Sequence, residues 1–546
     1  MSAPWLVALP LLPLIAAALA WHRRGGWLAP AAALPALVTA AVVPAGAATA
    51  VPWLMLGTEL RLDATGRVFL LFSALLWLVS AVYGLAAQRD DPLRGRFLVF
   101  FLLAMGGNFA LILAADMGTF FFGFALMGLA TYGLVAHRPS AGARRAGRIY
   151  LGWTIAGEVA LFSGVVLLAG AAGGHAFDAL SGVDPSPAAV ALVLLGFGIK
   201  LALPGLHAWL PLAYRAAPAA GAAVMSGAMI KAGALGIMRF LPAGSDHLAA
   251  WGEVLVPLGV FAAFFGVAVG LAQRSPRVVL GYSSVSQMGV IAAALGVGLA
   301  APDAAAALAA AVTVYAAHHA LAKGALFLGL DALRRNGGSP WMMAGLALPA
   351  LALAGAPFTS GALAKAALGE ALPVQWAALQ PWLTAGAAAT TLLMARLLWL
   401  AAGHPARSRR PLPRAAAGAW VVLLAAIAAW PVVLAEPVGG GAVPLLAGVL
   451  IGAGAVLAAR RGLVPRAPRI PTGDLPVLLG HHLGRLSRLA IARWQQAPQA
   501  RVRRRTLARL RPRLPRLDAE AVIRRWSVAG LLWLGLTAWV WLLSLR

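Results

Sequence analysis

Residues 196–242 read GFGIKLALPGLHAWLPLAYRAAPAAGAAVMSGAMIKAGALGIMRFLP. The stretch holds more than the roughly 20 apolar residues that a helix needs to cross a bilayer. It is nevertheless interrupted: Lys200 precedes Pro204-Gly205, His207 follows, and Lys231 lies in the next apolar run. Proline inside a span frees backbone carbonyls, which is tolerated where they line a polar cavity. Residues 355–370, GAPFTSGALAKAALGE, repeat the device with Pro357 ahead of Lys365. Broken helices at matching points of two halves point to an ion path at the interface between repeats.

Outward from these stretches the chain stays apolar. Of 546 residues 61% are hydrophobic and 11% charged, with a mean hydropathy of +0.83. A soluble domain carries about a quarter charged residues, so soluble, fibrous and disordered classes are excluded. The expected fold is an all-α polytopic membrane protein of about sixteen spans: 4–21, 27–45, 66–87, 97–113, 117–135, 149–172, 188–211, 219–241, 250–272, 278–299, 305–331, 341–371, 378–400, 414–435, 440–459 and 527–545. The breaks fall in spans 7 and 12. They divide the chain into a three-helix segment (1–96), two five-helix repeats (97–241 and 250–400), two accessory spans (414–459), a basic region (460–526) and a final span (527–545). An odd number of spans per repeat makes the second repeat inverted. The first span has no basic residue before it and His22, Arg23 and Arg24 after it, the flanks of a reversed anchor rather than of a cleavable signal peptide.

The formal net charge is +27. Its distribution argues against nucleic-acid binding, because no aromatic–basic reading motif accompanies it. Arg23/Arg24, Arg89/Arg94/Arg96, Arg138/Arg144/Arg145/Arg148, Arg274/Arg277, Arg334/Arg335 and Arg407/Arg409/Arg410/Arg414 all fall in odd-numbered loops. The even loops 173–187, 242–249 and 300–304 have no Lys or Arg. By the positive-inside rule the odd loops face the cytoplasm of a bacterial-type inner membrane, and both termini face outward. Residues 460–525, with 17 Arg against Asp474, Asp518 and Glu520, are then cytoplasmic. Within them 477–497 reads as an amphipathic helix, and Pro498, Pro512 and Pro515 keep it from continuing as one long rod. That helix either lies on the membrane surface or braces partner subunits.

Of the 44 Lys and Arg only Lys200, Lys231, Lys323 and Lys365 are lysines, and all four lie inside predicted spans. Either cation costs about 2.5–3.5 kcal/mol or more at mid-bilayer, so hydrophobicity does not explain the choice. Titration does: arginine stays protonated, whereas a desolvated lysine can release its proton. The set reads as groups that accept and pass on H⁺; a lone intramembrane lysine could instead snorkel or neutralise a carboxylate. Glu158, inside YLGWTIAGEVALFSGV, needs a cationic partner there. His207, His318 and His319 can relay protons, but carry no carboxylate at metal-ligand spacing. With no cysteine, no nucleotide loop and no haem motif, neither a cofactor nor a metal is expected in this chain.

These motifs carry a resemblance. GFGIKLALPGLHAWLP and the run to Lys231, YSSVSQMG at 282–289, HHALAKGALFLG at 318–329 and the Pro357–Lys365 break resemble, in order, the antiporter-like proton-conducting membrane subunits. That family includes subunits of respiratory complex I, multisubunit sodium/proton antiporters and membrane-bound hydrogenases, with a related branch in inorganic-carbon accumulating complexes. The resemblance implies a line of protonatable groups through Lys200, Lys231, His319, Lys323 and Lys365. It also implies partner subunits and water-filled half-channels to each side. One departure stands out. FFFGFALMGLATYGLV places Phe124 and Ala125 where the family usually has a tryptophan–glutamate pair facing the lysine numbered 200 here. Glu158 then replaces that acid, or the first half-channel is altered or silent. Tyr214-Arg215 is a second departure, at a helix mouth where His-Pro is common.

The resulting expectation is a subunit that translocates H⁺ within a multisubunit complex in the lipid bilayer. Na⁺ is less favoured, since hard cations want oxygen ligands and membrane carboxylates are few. Two alternatives remain: the membrane half of an inorganic-carbon complex with a soluble zinc partner, and a scaffold that kept the fold without conducting.

Overall fold

The computed structural model describes residues 3–20, 23–54, 57–242, 246–403, 411–433, 441–461 and 470–473. Nearly all of the basic region 460–526, including the expected surface helix, and the expected final span 527–545 lie outside the described residues. Helices α1 Ala8–Leu19 and α2 Leu28–Val42 lead into strands β1 Ala47–Val51 and β2 Thr58–Leu62. There follow α3 Ala64–Ala87, α4 Arg94–Leu113, α5 Met117–Val135, α6 Ala141–Ala172, α7 Pro187–Leu201, α8 Trp209–Ala216, α9 Ala219–Gly227 and α10 Ala232–Phe240. The chain continues through α11 Asp246–Leu271, α12 Pro276–Ala300, α13 Ala305–Asn336, α14 Pro340–Ala354, α15 Ser360–Glu370, α16 Gln380–Ala402, α17 Arg414–Val433 and α18 Ala442–Arg460.

Eleven helical segments among the described residues are long and apolar enough to cross a membrane, and four shorter apolar helices accompany them. The chain is a multi-pass membrane protein. The short helices occupy the first, seventh, twelfth and fifteenth expected spans. The seventh and twelfth are short because each expected span is two helices on either side of a break, α7/α8 and α14/α15. Local sequence sets six of the helix starts: Asp63, Asp116, Ser140, Ser186, Ser339 and Thr359 each accept a hydrogen bond from a first-turn N–H.

Three differences from the sequence reading have physical causes. The architecture is not purely helical: β1 and β2 pair antiparallel, Ala47 opposite Leu62, and β2 alternates buried and half-buried residues with period two. Arg144, Arg145 and Arg148 lie on the first turns of α6 rather than in a loop. Hydropathy reports where a helix meets water, not where it begins. The eighth span is also not continuous, since the turn Met229–Lys231 is 3₁₀ between α9 and α10. A tightened turn inside a span marks a local departure from the regular hydrogen-bond ladder.

The two long breaks match residue by residue. Ala202 (φ 57°) ends α7 and Gly355 (φ 84°) ends α14, both left-handed. Leu203 N donates to Gly198 O at 3.0 Å, and Ala356 N donates to Leu351 O at 3.0 Å, the 6→1 bond of a Schellman turn. Proline follows two residues after each cap, at Pro204 and Pro357, and a second positive φ follows three after, at Gly205 (87°) and Phe358 (61°).

Burial grades from centre to rim. The apolar window of α12 is 100% buried and that of the α9–α10 segment 94%, against 39% for α6 and 33% for α17. On α6, Ile155, Val159, Phe162 and Val166 form an exposed stripe at helical spacing, while the neighbouring Glu158 is buried. In a bilayer that stripe meets lipid and Glu158 meets protein.

Candidate functional site

All four lysines are held at helix ends, breaks or fully buried mid-helix positions, and the structure gathers them into two sets. In the first, Lys200 sits in the last turn of α7, where unsatisfied carbonyls make the helix end negative. Its amine lies 5.0 Å from the centroid of the Phe124 ring. Pro204 has no N–H to donate to the carbonyl of Lys200, and Trp209 Nε1 donates to the neighbouring Ile199 O at 2.9 Å. Glu158, 8% exposed, and Lys200, 7% exposed, interact electrostatically. A cavity of about 10 Å³, lined by Phe124, Tyr150, Thr154, Gly157 and Lys200 among others, has room for about one water.

Glu158 reaches this point because α5 offers it a gap. A Cβ at Gly128 would meet Glu158 Oε1 at 2.4 Å. Ala125 lies one turn earlier on α5. Glu158 Oε1 accepts no hydrogen bond among the described residues.

The second set runs through the centre. Lys231 closes the 3₁₀ turn and donates to Ser226 O. Lys323, on α13, donates to Leu280 O at 2.8 Å, and both lysines are fully buried. His319 lies one turn before Lys323 on α13, fully buried, with neither ring nitrogen hydrogen-bonded among the described residues. Lys231 interacts electrostatically with Lys323 and with His319. His318 pairs through Nδ1 with Ser360 Oγ at 2.8 Å and interacts electrostatically with Lys365.

Lys365, half-buried on α15, reaches back across its break. Its amine donates to Leu353 O at 2.9 Å and Ala354 O at 2.7 Å, the final carbonyls of α14. The left-handed Gly355 admits this approach, since a Cβ there would stand 2.7 Å from the lysine nitrogen. A cavity of about 250 Å³ opens beside Lys365. Along its wall Tyr315 OH donates to Gln287 Oε1 at 2.6 Å, and Gln287 Nε2 donates to Thr390 Oγ1 at 3.1 Å.

Among the residues singled out by sequence, His207 stands in the break after α7, its ring edge-on to Phe265 at 5.1 Å. The sequence reading missed Tyr315, Thr390 and Ser360, single polar residues with no spacing signal. Gln287 was visible within YSSVSQMG but not as a member of the site.

Similarity to known proteins centres on the same stretch. Residues 114–393, just over half of the chain, match the family described as "NADH:quinone oxidoreductase/Mrp antiporter, TM". The chain belongs to this family. The matched region contains both breaks and all eight candidate residues. The chain is 31% identical over 291 residues to hydrogenase-4 component B of Escherichia coli (strain K12), covering 50% of this chain and 43% of that one. It is 29% identical over 265 residues to NADH-quinone oxidoreductase subunit M of the same strain, covering 45% and 52%. It therefore spans about half the length of the curated relatives it matches. The fold is shared with a chain of the Mrp complex from Dietzia sp. DQ12-45-1b, at a TM-score of 0.69 and 22% identity, over 98% of this chain and 63% of that one.

Proposed function

We propose that this chain carries protons across the bacterial inner membrane as one subunit of a multisubunit complex. The path runs from Glu158–Lys200 through Lys231, His319, Lys323 and His318 to Lys365. One observation carries the reading. Lys231, Lys323 and Lys365 bond to main-chain carbonyls, and among the described residues none of the three pairs with a carboxylate. A carbonyl accepts from –NH₂ as well as from –NH₃⁺, whereas a carboxylate would hold the proton on the amine. Buried lysines held in this way are free to exchange protons with the histidines between them.

The two matched breaks support a pair of inverted repeats, 97–241 and 250–400, with one titratable chamber at each break. The end of α7 packs against the 3₁₀ turn of Lys231, so the first chamber abuts the central set. The cavity at Lys365 supplies a wet exit from the second chamber. Arginine-rich loops would face the cytoplasm and both termini the opposite side. Family membership and the likeness to a chain of the Mrp complex favour assembly with other subunits. Energy would come from those partners or from an ion gradient.

The test is proton flux in liposomes containing the purified full chain, driven by an imposed potential. Flux that falls to background in Lys231→Leu and Lys323→Leu fits the proposal. Wild-type flux indistinguishable from empty liposomes, or undiminished flux in both variants, refutes it and favours a scaffold.

A further inference from the structure

On the arginine-rich side, the ends of α11, α13 and α16 and the start of α12 surround a cavity of about 810 Å³. Cavities of this size accommodate a drug-sized or headgroup-sized ligand. Arg138, Arg215, Arg274, Arg277 and Arg334 all line it, and no acidic residue does among the described residues. Five guanidinium groups around one concavity repel one another, and the single Asp331 carboxylate beside Arg277 offsets them only in part, so the space favours an anion.

Arg277 identifies the kind of anion. It is 5% exposed, and its Nη1 donates to Ala217 O at 2.9 Å. Its buried Nε and Nη2 have no hydrogen-bond partner among the described residues. Asp331 Oδ1 forms a long ion pair with Nη2 at 3.8 Å, outside hydrogen-bond reach. The other carboxylate oxygen, Oδ2, accepts from Arg335 Nε at 2.8 Å and Tyr83 OH at 3.1 Å. The Nε–Nη2 edge of a guanidinium is a planar two-donor fork that matches two oxygens of a phosphate. Arg138, Arg215 and Arg274 are exposed and complete a basic rim around it.

Two further features select the source of the phosphate. The cavity lies where membrane helices end, the level at which lipid headgroups sit. Its wall also includes Leu330, Leu333 and Ile470, apolar surface that suits the glycerol and upper acyl region rather than a free ion. The geometry points to a site for an anionic glycerophospholipid, its phosphate held by Arg277 and the arginine rim. The site does not depend on the proton path.

The experiment uses the full chain reconstituted with phosphatidylglycerol or phosphatidylcholine and then exchanged into mild detergent, with retained lipid counted by native mass spectrometry. The wild type should keep phosphatidylglycerol. Arg138→Gln/Arg215→Gln/Arg274→Gln, confined to exposed positions that the fold does not need, should keep at least about tenfold less, with no change for phosphatidylcholine. Arg277→Gln should lose retention similarly, and the triple variant guards against its misfolding. Equal phosphatidylglycerol retention by wild type and triple variant overturns the site. Displacement of the lipid by millimolar inorganic phosphate or glycerol phosphate overturns the lipid assignment in favour of a soluble anion.

Discussion

The two breaks use one backbone design and fill it differently. Both α7 and α14 end in a left-handed residue, a 6→1 hydrogen bond and a proline two residues on. Both place an ammonium at the negative end of the first half-helix. Lys200 arrives there from within α7, two residues before the cap, while Lys365 arrives from α15, ten residues after it. Around Lys200 are an aromatic face, a carboxylate and a chamber of about 10 Å³. Around Lys365 are two carbonyls and a cavity of about 250 Å³. The contrast teaches that the fold fixes where charge is wanted, at the exposed helix dipole, and leaves open which residue supplies it. The first break is a tight, carboxylate-balanced chamber, and the second is roomy and balanced by backbone.

The largest expected effect tests the second break. Lys365→Leu should lower proton flux about a hundredfold, the scale of a removed proton-transfer group. Lys365→Arg should be as inactive, because arginine can cap Leu353 and Ala354 but cannot release its proton. Normal flux in the arginine variant would reduce Lys365 to a structural cap.

At the first break, Glu158→Gln leaves Lys200 without its carboxylate. Removing one of two buried opposite charges leaves the other uncompensated, which costs more than the roughly 1 kcal/mol of each of the two Lys365 hydrogen bonds to backbone. Thermal unfolding should therefore drop further in Glu158→Gln than in Lys365→Gln, and equal drops would erase the contrast between the two breaks. Ala125→Glu in the Glu158→Gln background should restore much of the flux, since it returns the acid from the facing helix.

Gly128→Ala is subtler. The added methyl meets Glu158 Oε1, so the variant should lose flux at the first break, by about tenfold if displacing the carboxylate weakens the electrostatic balance by about 1.4 kcal/mol. Unchanged flux would mean that the position of the carboxylate is not critical.

The smallest effect is a control outside both breaks. His137 Nε2 pairs with Asp91 Oδ2 at 2.8 Å in the loop region beyond α5. Burial lowers the proton affinity of His137, and the Asp91 carboxylate only partly offsets this. The neutral ring is thus favoured in the folded state. Its contribution to stability is complete above about pH 6.5 and is lost as the pH falls from there toward the folded-state value. Unfolding temperatures of His137→Gln should fall less steeply between pH 6.5 and 5 than those of the wild type. Flux in this variant should keep its wild-type pH profile.

Much of this site was legible because membrane-embedded charge is expensive. Four lysines in an arginine-rich chain announced themselves, and Pro204 and Pro357 marked where helices had to stop. The 3₁₀ turn at Lys231 carried no such mark. It accompanies the bond from the Lys231 amine to Ser226 O, a contact that a residue string does not encode. The hairpin of β1 and β2 was hidden for a different reason, since five-residue alternation is weak beside runs of twenty apolar residues. Tyr315, Gln287 and Thr390 come from three separate helices, and no spacing in the chain links them.

The sequence alone determined that the chain crosses a membrane many times, which residues can titrate there and where two helices break. Bilayer cost and proline sterics act on each residue locally, so both can be read in order along the chain. Tertiary structure decided which charges meet. That Glu158 meets α5 one turn from Ala125 comes from α6 packing against the gap at Gly128. That Lys365 caps a helix other than its own comes from the fold of the second break. Both are contacts across elements, fixed only when the helices pack.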